Sequence, residues 1–340
     1  MGIIGFANLF LLLISLRIRK DDAETISIEE TKIINGFFVI SIFIGHASQY
    51  VALKNYIITD LYLFMDKQVG QLCVATFLLF SGYGIMASII SKRNYIKLMP
   101  RNRMLPTYIT FAVSLVIYLM VNIIFSIKYN IKTYILSLFA IESIGNSNWY
   151  IFTIMCMYIT TFLLAKKMTK ERMAFMQLIV SIIFIVVLKF CFNFPSGFYS
   201  TVICYPIGLI YCVYKADVDS FLRRHKIGSI FLSIIFIGIV IVSGIRANEF
   251  GYNIYALLFS VVIIWALNFF TFKSSVLLFF GKHCFSIYLL QRVSMIVLDS
   301  VFCDSLNDLV FIVISLALTI TISIPFEKLT SHITNKIKEY

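Results

Sequence analysis

Hydrophobic positions in this chain form long uninterrupted runs, and polar positions are gathered between them. The runs are roughly 17–22 residues long, the length that crosses the hydrocarbon core of a bilayer as a helix. Lipid offers the backbone no hydrogen-bond partner, and strands of a membrane barrel would be about half as long and would alternate. The pattern therefore predicts an all-α, polytopic transmembrane helical bundle. About eleven spans are predicted, at residues 3–19, 33–51, 71–90, 104–126, 148–165, 173–190, 198–214, 228–245, 253–271, 283–301 and 308–326.

Lysine and arginine are distributed unevenly among the segments that connect the runs. Most of the 29 such residues fall in every second segment, at residues 17–32, 92–103, 166–172, 215–226, 273–282 and 328–338. Basic loops stay in the cytoplasm, so the alternation predicts an N-terminus outside and a C-terminus inside. Orientation in the lipid bilayer thus accounts for the net charge of +12, and we expect no nucleic-acid binding.

The first run precedes its positive charges instead of following them, which indicates an uncleaved helix rather than a secretory signal. Ser27 and Glu30 have the spacing of a capping box directly before the second run, so the second helix is predicted to begin near residue 28. Two regions follow: an extra N-terminal span and cytoplasmic connector over 1–27, and the main membrane domain over 28–340.

The composition agrees with a multi-pass protein of the cell membrane. The chain is 60% hydrophobic and 14% charged, whereas soluble domains are about 45–50% apolar and about 25% charged. Its seven cysteines include no CxxC pair and lie mostly inside apolar runs, as small buried hydrophobes do. We therefore expect no metal site.

His46 is the histidine that lies well inside a predicted span. Asn35 precedes it by eleven residues, three helical turns and about 16 Å along one face, and Lys32 lies one turn earlier on the same side. A polar side chain at that depth usually faces a cavity or a partner. The His46 imidazole is therefore a candidate general base. The alternative is that His46 forms a structural hydrogen bond between helices.

The stretch around Ser81, Gly82, Tyr83 and Gly84 permits two interpretations. Small residues let transmembrane helices pack closely. Alternatively, the glycines let a substrate approach the backbone, with Ser81 as a hydrogen-bond donor or as a nucleophile paired with His46.

Basic residues crowd the segment before the fourth run, among them Lys97, Arg101 and Arg103. They act as orientation charge, or they form a phosphate site, since arginine matches phosphate oxygens with two parallel hydrogen bonds. Trp149 opens the fifth run on the outer side, where interfacial anchoring is a sufficient explanation. Arg292 lies within a span and needs a partner; Asp299, Glu142 and a ligand are the candidates.

Five motifs occur in an order that resembles the integral membrane acyltransferase family three, the acyl-CoA-dependent carbohydrate O-acyltransferases. The resemblance covers residues 28–330. The motifs are Asn35 to His46, Phe80-Ser81-Gly82-Tyr83, Arg101 and Arg103 with Leu105-Pro106-x-Tyr108, Trp149-Tyr150, and Gly281-Lys282 with Ile287-Tyr288-Leu289.

The resemblance implies an acyltransferase domain that moves an acyl group, often acetyl, from cytoplasmic acyl-CoA to a hydroxyl of a cell-envelope polysaccharide. It implies His46 as the catalytic histidine, with Ser81 beside it. The donor acyl-CoA would be bound by Lys32, Asn35, Lys97, Arg101 and Arg103, and the glycan acceptor by Tyr83, Trp149, Tyr288 and Arg292.

Three features depart from the family pattern. Asn35 stands where the family has a basic residue, Gln291 stands where it has a late histidine, and the family core has about ten spans, without the first run found here. Two other functions stay open: a transporter or flippase for a lipid-linked sugar, although no internal repeat is visible, and an inactive binding partner in the membrane. The sequence leaves open whether the chain forms a homo-oligomer.

Overall fold

A computed structural model describes residues 2–20, 25–51, 57–246, 251–302 and 305–339. The protein is all-helical, with 81% helix and 2% strand. The helices are α1 (Gly2–Ser15), α2 (Ile28–Ala47), α3 (Ile57–Ser91), α4 (Tyr95–Met99), α5 (Leu105–Ile124), α6 (Ile131–Ser137), α7 (Trp149–Ala165), α8 (Lys170–Val186), α9 (Cys204–Val213), α10 (Lys215–Arg224), α11 (Lys226–Arg246), α12 (Gly251–Phe269), α13 (Ser275–Lys282), α14 (Cys284–Phe302) and α15 (Asp308–Glu339). Two π-helical turns, Pro100–Met104 and Val187–Cys191, and a 3₁₀ turn, Ser196–Phe198, complete the helical structure.

Within the described residues, six helices are long and apolar enough to cross a membrane. They are Gly70–Ser91, Tyr95–Ile124, Lys170–Cys191, Gly251–Phe269, Cys284–Phe302 and Asp308–Lys338. Each corresponds to a predicted span. Three shorter apolar helices, Gly2–Ser15, Trp149–Ala165 and Cys204–Val213, correspond to three more. The chain is therefore a multi-pass helical membrane protein, and its total number of spans and its orientation stay predictions.

Two predicted spans are shorter than expected. The first helix ends at Ser15, and the chain continues as strand β1 (Leu16–Ile18), which pairs antiparallel with β2 (Phe270–Phe272). The strands satisfy backbone groups that a continued helix would have paired internally, so the predicted first span, residues 3–19, ends earlier than expected.

The predicted span 198–214 is also wrong in its extent, because only Cys204–Val213 is α-helical. Ten residues rise about 15 Å, half the hydrocarbon core. The preceding segment is held as a turn by side chains of two other helices. Thr153 donates to the Phe198 carbonyl at 2.7 Å, and the Ser200 hydroxyl donates to Gln71 Oε1 at 2.5 Å.

The fourth predicted span starts earlier than expected. Helical structure begins at Tyr95, so the basic segment is part of a helix and not a loop. Pro106 lacks the backbone N–H that an α-helix would use. The π turn just before it shifts the bonding pattern, with the Leu105 N–H donating to the Pro100 carbonyl. Such π turns are frequent at functional sites.

The start of α2 is as predicted, with Ser27 as the N-cap and a complete capping box with Glu30. The Glu30 carboxylate also forms a buried ion pair with Arg19 at 2.6 Å. Arg19 donates a further hydrogen bond to the Phe270 carbonyl at 2.9 Å. The connector after α1 is therefore tied both to α2 and to the β2 strand.

Glycines allow two pairs of helices to touch. A Cβ built on Gly82 would lie 2.1 Å from the Tyr205 carbonyl oxygen, where α3 crosses α9. A Cβ on Gly281 would lie 1.7 Å from the Lys32 carbonyl oxygen, where α13 crosses α2. Gly82 is thus a packing residue, whereas Gly84 has nothing within 4 Å of its Cβ position.

The connecting segments gather at the two ends of the bundle. We call one end the basic face, where residues 16–20, 215–226 and 270–274 meet through bonds such as that from the Lys273 N–H to the Ser15 carbonyl at 2.9 Å. We call the other end the opposite face, where residues 48–51 and 196–200 lie.

Candidate active site

His46 lies in the last turn of α2, between the fully buried Ile44 and Ala47. The residue is half-buried. Its Nδ1 atom is buried and has no hydrogen-bond partner, which leaves the ring free of a fixed structural bond.

A cation lies close to this histidine. Arg292 acts electrostatically on His46 and donates from Nη2 to Gln49 Oε1 at 2.6 Å. The Tyr50 hydroxyl also bonds to Arg292. Asp299, which the sequence offered as a partner, acts on Tyr50 instead. Neutral side chains therefore hold the guanidinium at the end of α2.

Glu142, the other carboxylate considered for Arg292, is engaged elsewhere. Its carboxylate accepts a hydrogen bond from the Thr133 hydroxyl at 2.5 Å. The contact joins two segments of the loop between α5 and α7, so Glu142 acts there as a structural residue.

A group of buried tyrosines lies between Arg292 and the basic face. Tyr288, one turn before Arg292 on α14, is fully buried, and its hydroxyl has no partner. The Tyr150 ring packs edge-on against it at a centroid distance of 5.6 Å. The Tyr150 hydroxyl bonds to Ser81. Helices α3, α7 and α14 therefore converge on one group of hydroxyls, and within the described residues Ser81 makes no hydrogen bond to His46.

Arg103 lies at the other end of this series. It donates from Nε to the Tyr158 hydroxyl at 3.2 Å and stands 5.6 Å from the centre of that ring. Arg103 is itself exposed, and Tyr158, which it contacts, is buried. Tyr158 and Arg103 both act electrostatically on Tyr150.

Three buried tyrosines, which we call the tyrosine path, lie between the two arginines: Tyr158, Tyr150 and Tyr288. Arg103 contacts Tyr158, the Tyr150 and Tyr288 rings are in contact, and Tyr288 lies one turn before Arg292. Tyr150 and Tyr158 are on the same helix, about 12 Å apart along its axis. Buried phenol hydroxyls offer hydrogen bonds within an otherwise apolar interior.

The other predicted donor-side residues are spread over the basic face. Asn35 is half-buried, and its Oδ1 is buried with no partner. Lys32 is half-buried one turn before it, and Lys97 is exposed. Arg101 and Arg103 are exposed as well, and Arg101 borders a separate apolar groove of about 400 Å³.

Two predicted acceptor-side residues lie away from the tyrosine path. The Tyr83 ring faces that of Tyr211 on α9, at a centroid distance of 5.9 Å. Trp149 packs on the 3₁₀ turn, 3.6 Å from the Cβ position of Gly197. The side chain that reaches Ser81 is the next residue, Tyr150.

Sequence reasoning missed Gln49, Tyr50 and Tyr158, and it named Tyr150 only within the Trp149-Tyr150 motif. A signal existed for the first two, because they are polar residues directly after the helix that ends with the candidate base. Tyr158 carries no such signal, since a tyrosine inside an apolar run looks like an ordinary core residue.

A second polar cluster lies at the basic face. Glu327 on α15 accepts from Ser286 at 2.6 Å and contacts His283 Nδ1 at 2.7 Å. It ties α15 to the start of α14. In the part of the chain that the structure describes, no group of three or more His, Cys, Asp or Glu is placed to hold a metal ion.

The sequence profile of a known family, the acyltransferase domain, matches residues 32–328. Searches among characterised proteins and among solved structures give no significant match. The matched region runs from the first turn of α2 into α15 and contains His46, the tyrosine path and both flanking arginines. The chain therefore belongs to the integral membrane acyltransferase family three and is a membrane-embedded acyltransferase.

Proposed function

We propose that this acyltransferase moves an acyl group, most simply acetyl, from cytoplasmic acyl-CoA to a hydroxyl of a cell-envelope polysaccharide. The observation that carries the proposal is the tyrosine path, which links an accessible arginine near the basic face to an accessible histidine near the opposite face. A donor and an acceptor could meet at His46 without either crossing the membrane whole.

The orientation belongs to the same proposal. The basic face would lie in the cytoplasm of a cell-membrane protein, because basic loops are retained there. Acyl-CoA, which is made in the cytoplasm, would then reach Arg103 directly. The envelope glycan would approach Gln49, Tyr50 and Arg292 from outside.

Donor binding would rest on Arg103, which contacts the buried Tyr158, with Arg101, Lys97 and Lys32 contributing further positive charge. Arginine forms paired, charge-assisted hydrogen bonds to phosphate oxygens, and CoA carries several phosphates. The thioester end would extend along the tyrosine path past Asn35 toward His46.

Acceptor binding would rest on Arg292 and Tyr288, since both present donors close to His46. The unpartnered hydroxyl of Tyr288 suits a sugar hydroxyl or the thioester carbonyl. Trp149 and Tyr83 would contribute less directly, because each packs on another element. Ser81 would position Tyr150 rather than act as a nucleophile, since its bond is to that tyrosine.

His46 would act as the general base. A neutral imidazole takes the proton from the acceptor hydroxyl as its oxygen attacks the thioester carbonyl carbon. The new C–O bond forms, the C–S bond breaks, and the imidazolium returns the proton to the CoA sulfur. No other reactant is needed, and the two products are an acyl ester and free CoA.

The test is acyl transfer to envelope glycan in cells that lack the native protein and carry either wild type, His46→Ala or His46→Gln. We expect both variants to insert and bind acyl-CoA normally but to lose transfer, since neither alanine nor an amide can act as a base at neutral pH. His332→Ala, on the exposed end of α15, is the matched control and should behave as wild type. Near-normal transfer by His46→Ala would overturn the general-base role and favour a transporter or a binding partner.

A further inference from the structure

A second cavity lies apart from the tyrosine path. A groove of about 530 Å³ opens between α9, α10, α11 and α12. Its walls are almost entirely apolar and include Ile210, Tyr214, Phe221, Leu232, Ile264 and Trp265. The volume is within the range of small-molecule sites, about 300–1,000 Å³.

Two breaks in the helical structure shape this groove. Helical geometry is interrupted at Tyr214 and again at His225, so α9, α10 and α11 form successive parts of one wall. Helix α12 closes the other side. α10 is short and polar and lies at the basic face, whereas α11 and α12 are apolar, which places the groove where the bilayer meets water.

The rim of the groove at the basic face is positively charged. His225 lines the groove, and Arg224 and Lys226 flank it, all three exposed. Neither α9 nor α12 carries a charged residue. Two acids belong to α10: Asp217 is exposed two turns before Arg224, and Asp219 is bound to Thr25, Tyr211 and Lys215. The charge at the mouth is therefore positive.

We propose that this groove is a binding site for an anionic phospholipid of the leaflet at the basic face. An acyl chain fills the apolar walls, and the headgroup phosphate pairs with Arg224, Lys226 and His225. A neutral lipid matches the walls but not the rim. A soluble anion matches the rim but leaves the walls exposed.

The groove reaches the Ser81–Gly84 segment through Tyr211. Tyr211 lines the groove, and its ring faces Tyr83 of the Ser81–Gly84 segment. A bound lipid therefore supports the packing of α9 on α3. This inference is independent of the proposed function, because lipid binding is measured without any acyl transfer.

Gly228 provides the test. It lines the groove, and a Cβ added there meets nothing within 4 Å. Gly228→Leu therefore fills the groove without a clash inside the protein. Gly238 lies on the same helix, is equally open and does not line the groove, so Gly238→Leu is the matched control.

The proteins are exchanged into vesicles of equal parts phosphatidylglycerol and phosphatidylcholine, extracted in mild detergent, and their retained lipids are counted by native mass spectrometry. Wild type and Gly238→Leu should retain phosphatidylglycerol, and Gly228→Leu should lose it. Retention by Gly228→Leu equal to wild type, or equal retention of both lipids by wild type, overturns the proposal.

A second variant leaves the groove open and changes only its rim. Arg224→Gln with Lys226→Gln should lower the preference for phosphatidylglycerol over phosphatidylcholine by about 30-fold, since each basic residue near a membrane surface contributes about 1 kcal/mol toward anionic lipid. An unchanged preference in this double variant would contradict the assignment of the headgroup to the rim, whether or not Gly228→Leu folds.

Discussion

Arg292 and Gln49 are 243 positions apart in the chain and are joined by a hydrogen bond of 2.6 Å. Gln49 follows His46 by three residues, so the contact fixes the end of α2 to the middle of α14. A cation thereby lies beside the candidate base, held by neutral side chains. An exposed amide and a half-buried guanidinium at this place are accessible from the opposite face.

The first prediction concerns Arg292. Arg292→Gln should raise KM for the glycan acceptor and leave KM for acyl-CoA unchanged, because the lost group binds one substrate only. Loss of one charge-assisted hydrogen bond, about 1.5–3 kcal/mol, corresponds to about a 10- to 100-fold fall in kcat/KM. The measurement is transfer rate against acceptor concentration, with the exposed Arg93→Gln as control. An unchanged KM for the acceptor would remove Arg292 from its binding site.

The second prediction compares how the two arginines of one π turn contribute to acyl-CoA binding. Arg103→Ala should weaken binding of acyl-CoA to the purified protein more than Arg101→Ala does, since Arg103 contacts the buried Tyr158 and Arg101 borders a separate groove. Both variants should insert normally. Tyr158→Phe removes just the hydroxyl that orients Arg103 and should give a smaller loss. Equal affinities in all three variants and wild type would reduce these arginines to orientation charge.

The third prediction contrasts two glycines of one motif. Gly82→Ala should lower the free energy of unfolding in detergent by about 1–3 kcal/mol and so lower the melting temperature. The reason is that its Cβ would meet the Tyr205 carbonyl at 2.1 Å. Gly84→Ala should be neutral or stabilising, because that position is open and alanine favours a helix by about 1 kcal/mol. Equal melting temperatures for the two variants would show that α3 and α9 do not touch as described.

The fourth prediction concerns pH and Asp219 on α10. Burial acts to raise the pKa of its carboxyl, but hydrogen bonds from Thr25, Tyr211 and Lys215 outweigh it, so the pKa lies below its ordinary value. A lowered pKa in the folded state contributes stability that is complete above the unfolded pKa, about 3.9, and is lost as pH falls through the folded pKa.

Thermal stability of wild type should therefore fall as the pH is lowered past about 4, and Asp219→Asn should be less stable at neutral pH with a smaller further loss in acid. Asp217→Asn, exposed on the same helix, should follow wild type throughout. An Asp219→Asn curve parallel to that of wild type would contradict the linkage.

Sequence patterns predicted those parts of the fold that are determined by residues close together in the chain. The capping box of Ser27 and Glu30 placed the start of α2, because its bonds join residues three apart. The eleven-residue spacing placed Asn35 and His46 on one helix. The glycine motif at Gly82 was open between packing and substrate approach, and only the position of α9 decides it.

Contacts between distant segments could not be predicted. The pairing of β1 with β2 depends on residues about 250 positions away, and nothing in Leu16–Ile18 distinguishes them from the end of a span. The partner of Arg292 is an amide rather than either carboxylate that charge alone would choose. Trp149 was predicted to bind the acceptor because of its residue type. In the fold it is the neighbouring residue, Tyr150, that faces Ser81.

The last prediction concerns Asn35, where the family pattern has a basic residue. Its Oδ1 is buried with no partner, and a buried unsatisfied acceptor costs about 1–3 kcal/mol. Arginine there would remove that acceptor and place a cation between the basic face and His46.

Asn35→Arg should therefore lower KM for acyl-CoA and leave KM for the acceptor unchanged, because the added charge faces the donor's phosphates and not the glycan. Ile28→Arg adds the same charge to the exposed first turn of α2 and should change neither constant. The two constants are measured on purified protein in vesicles. If Asn35→Arg inserted and folded normally but left KM for acyl-CoA unchanged, the donor would not pass this face of α2. Its route to His46 would then run along α7 and α14, which carry the tyrosine path.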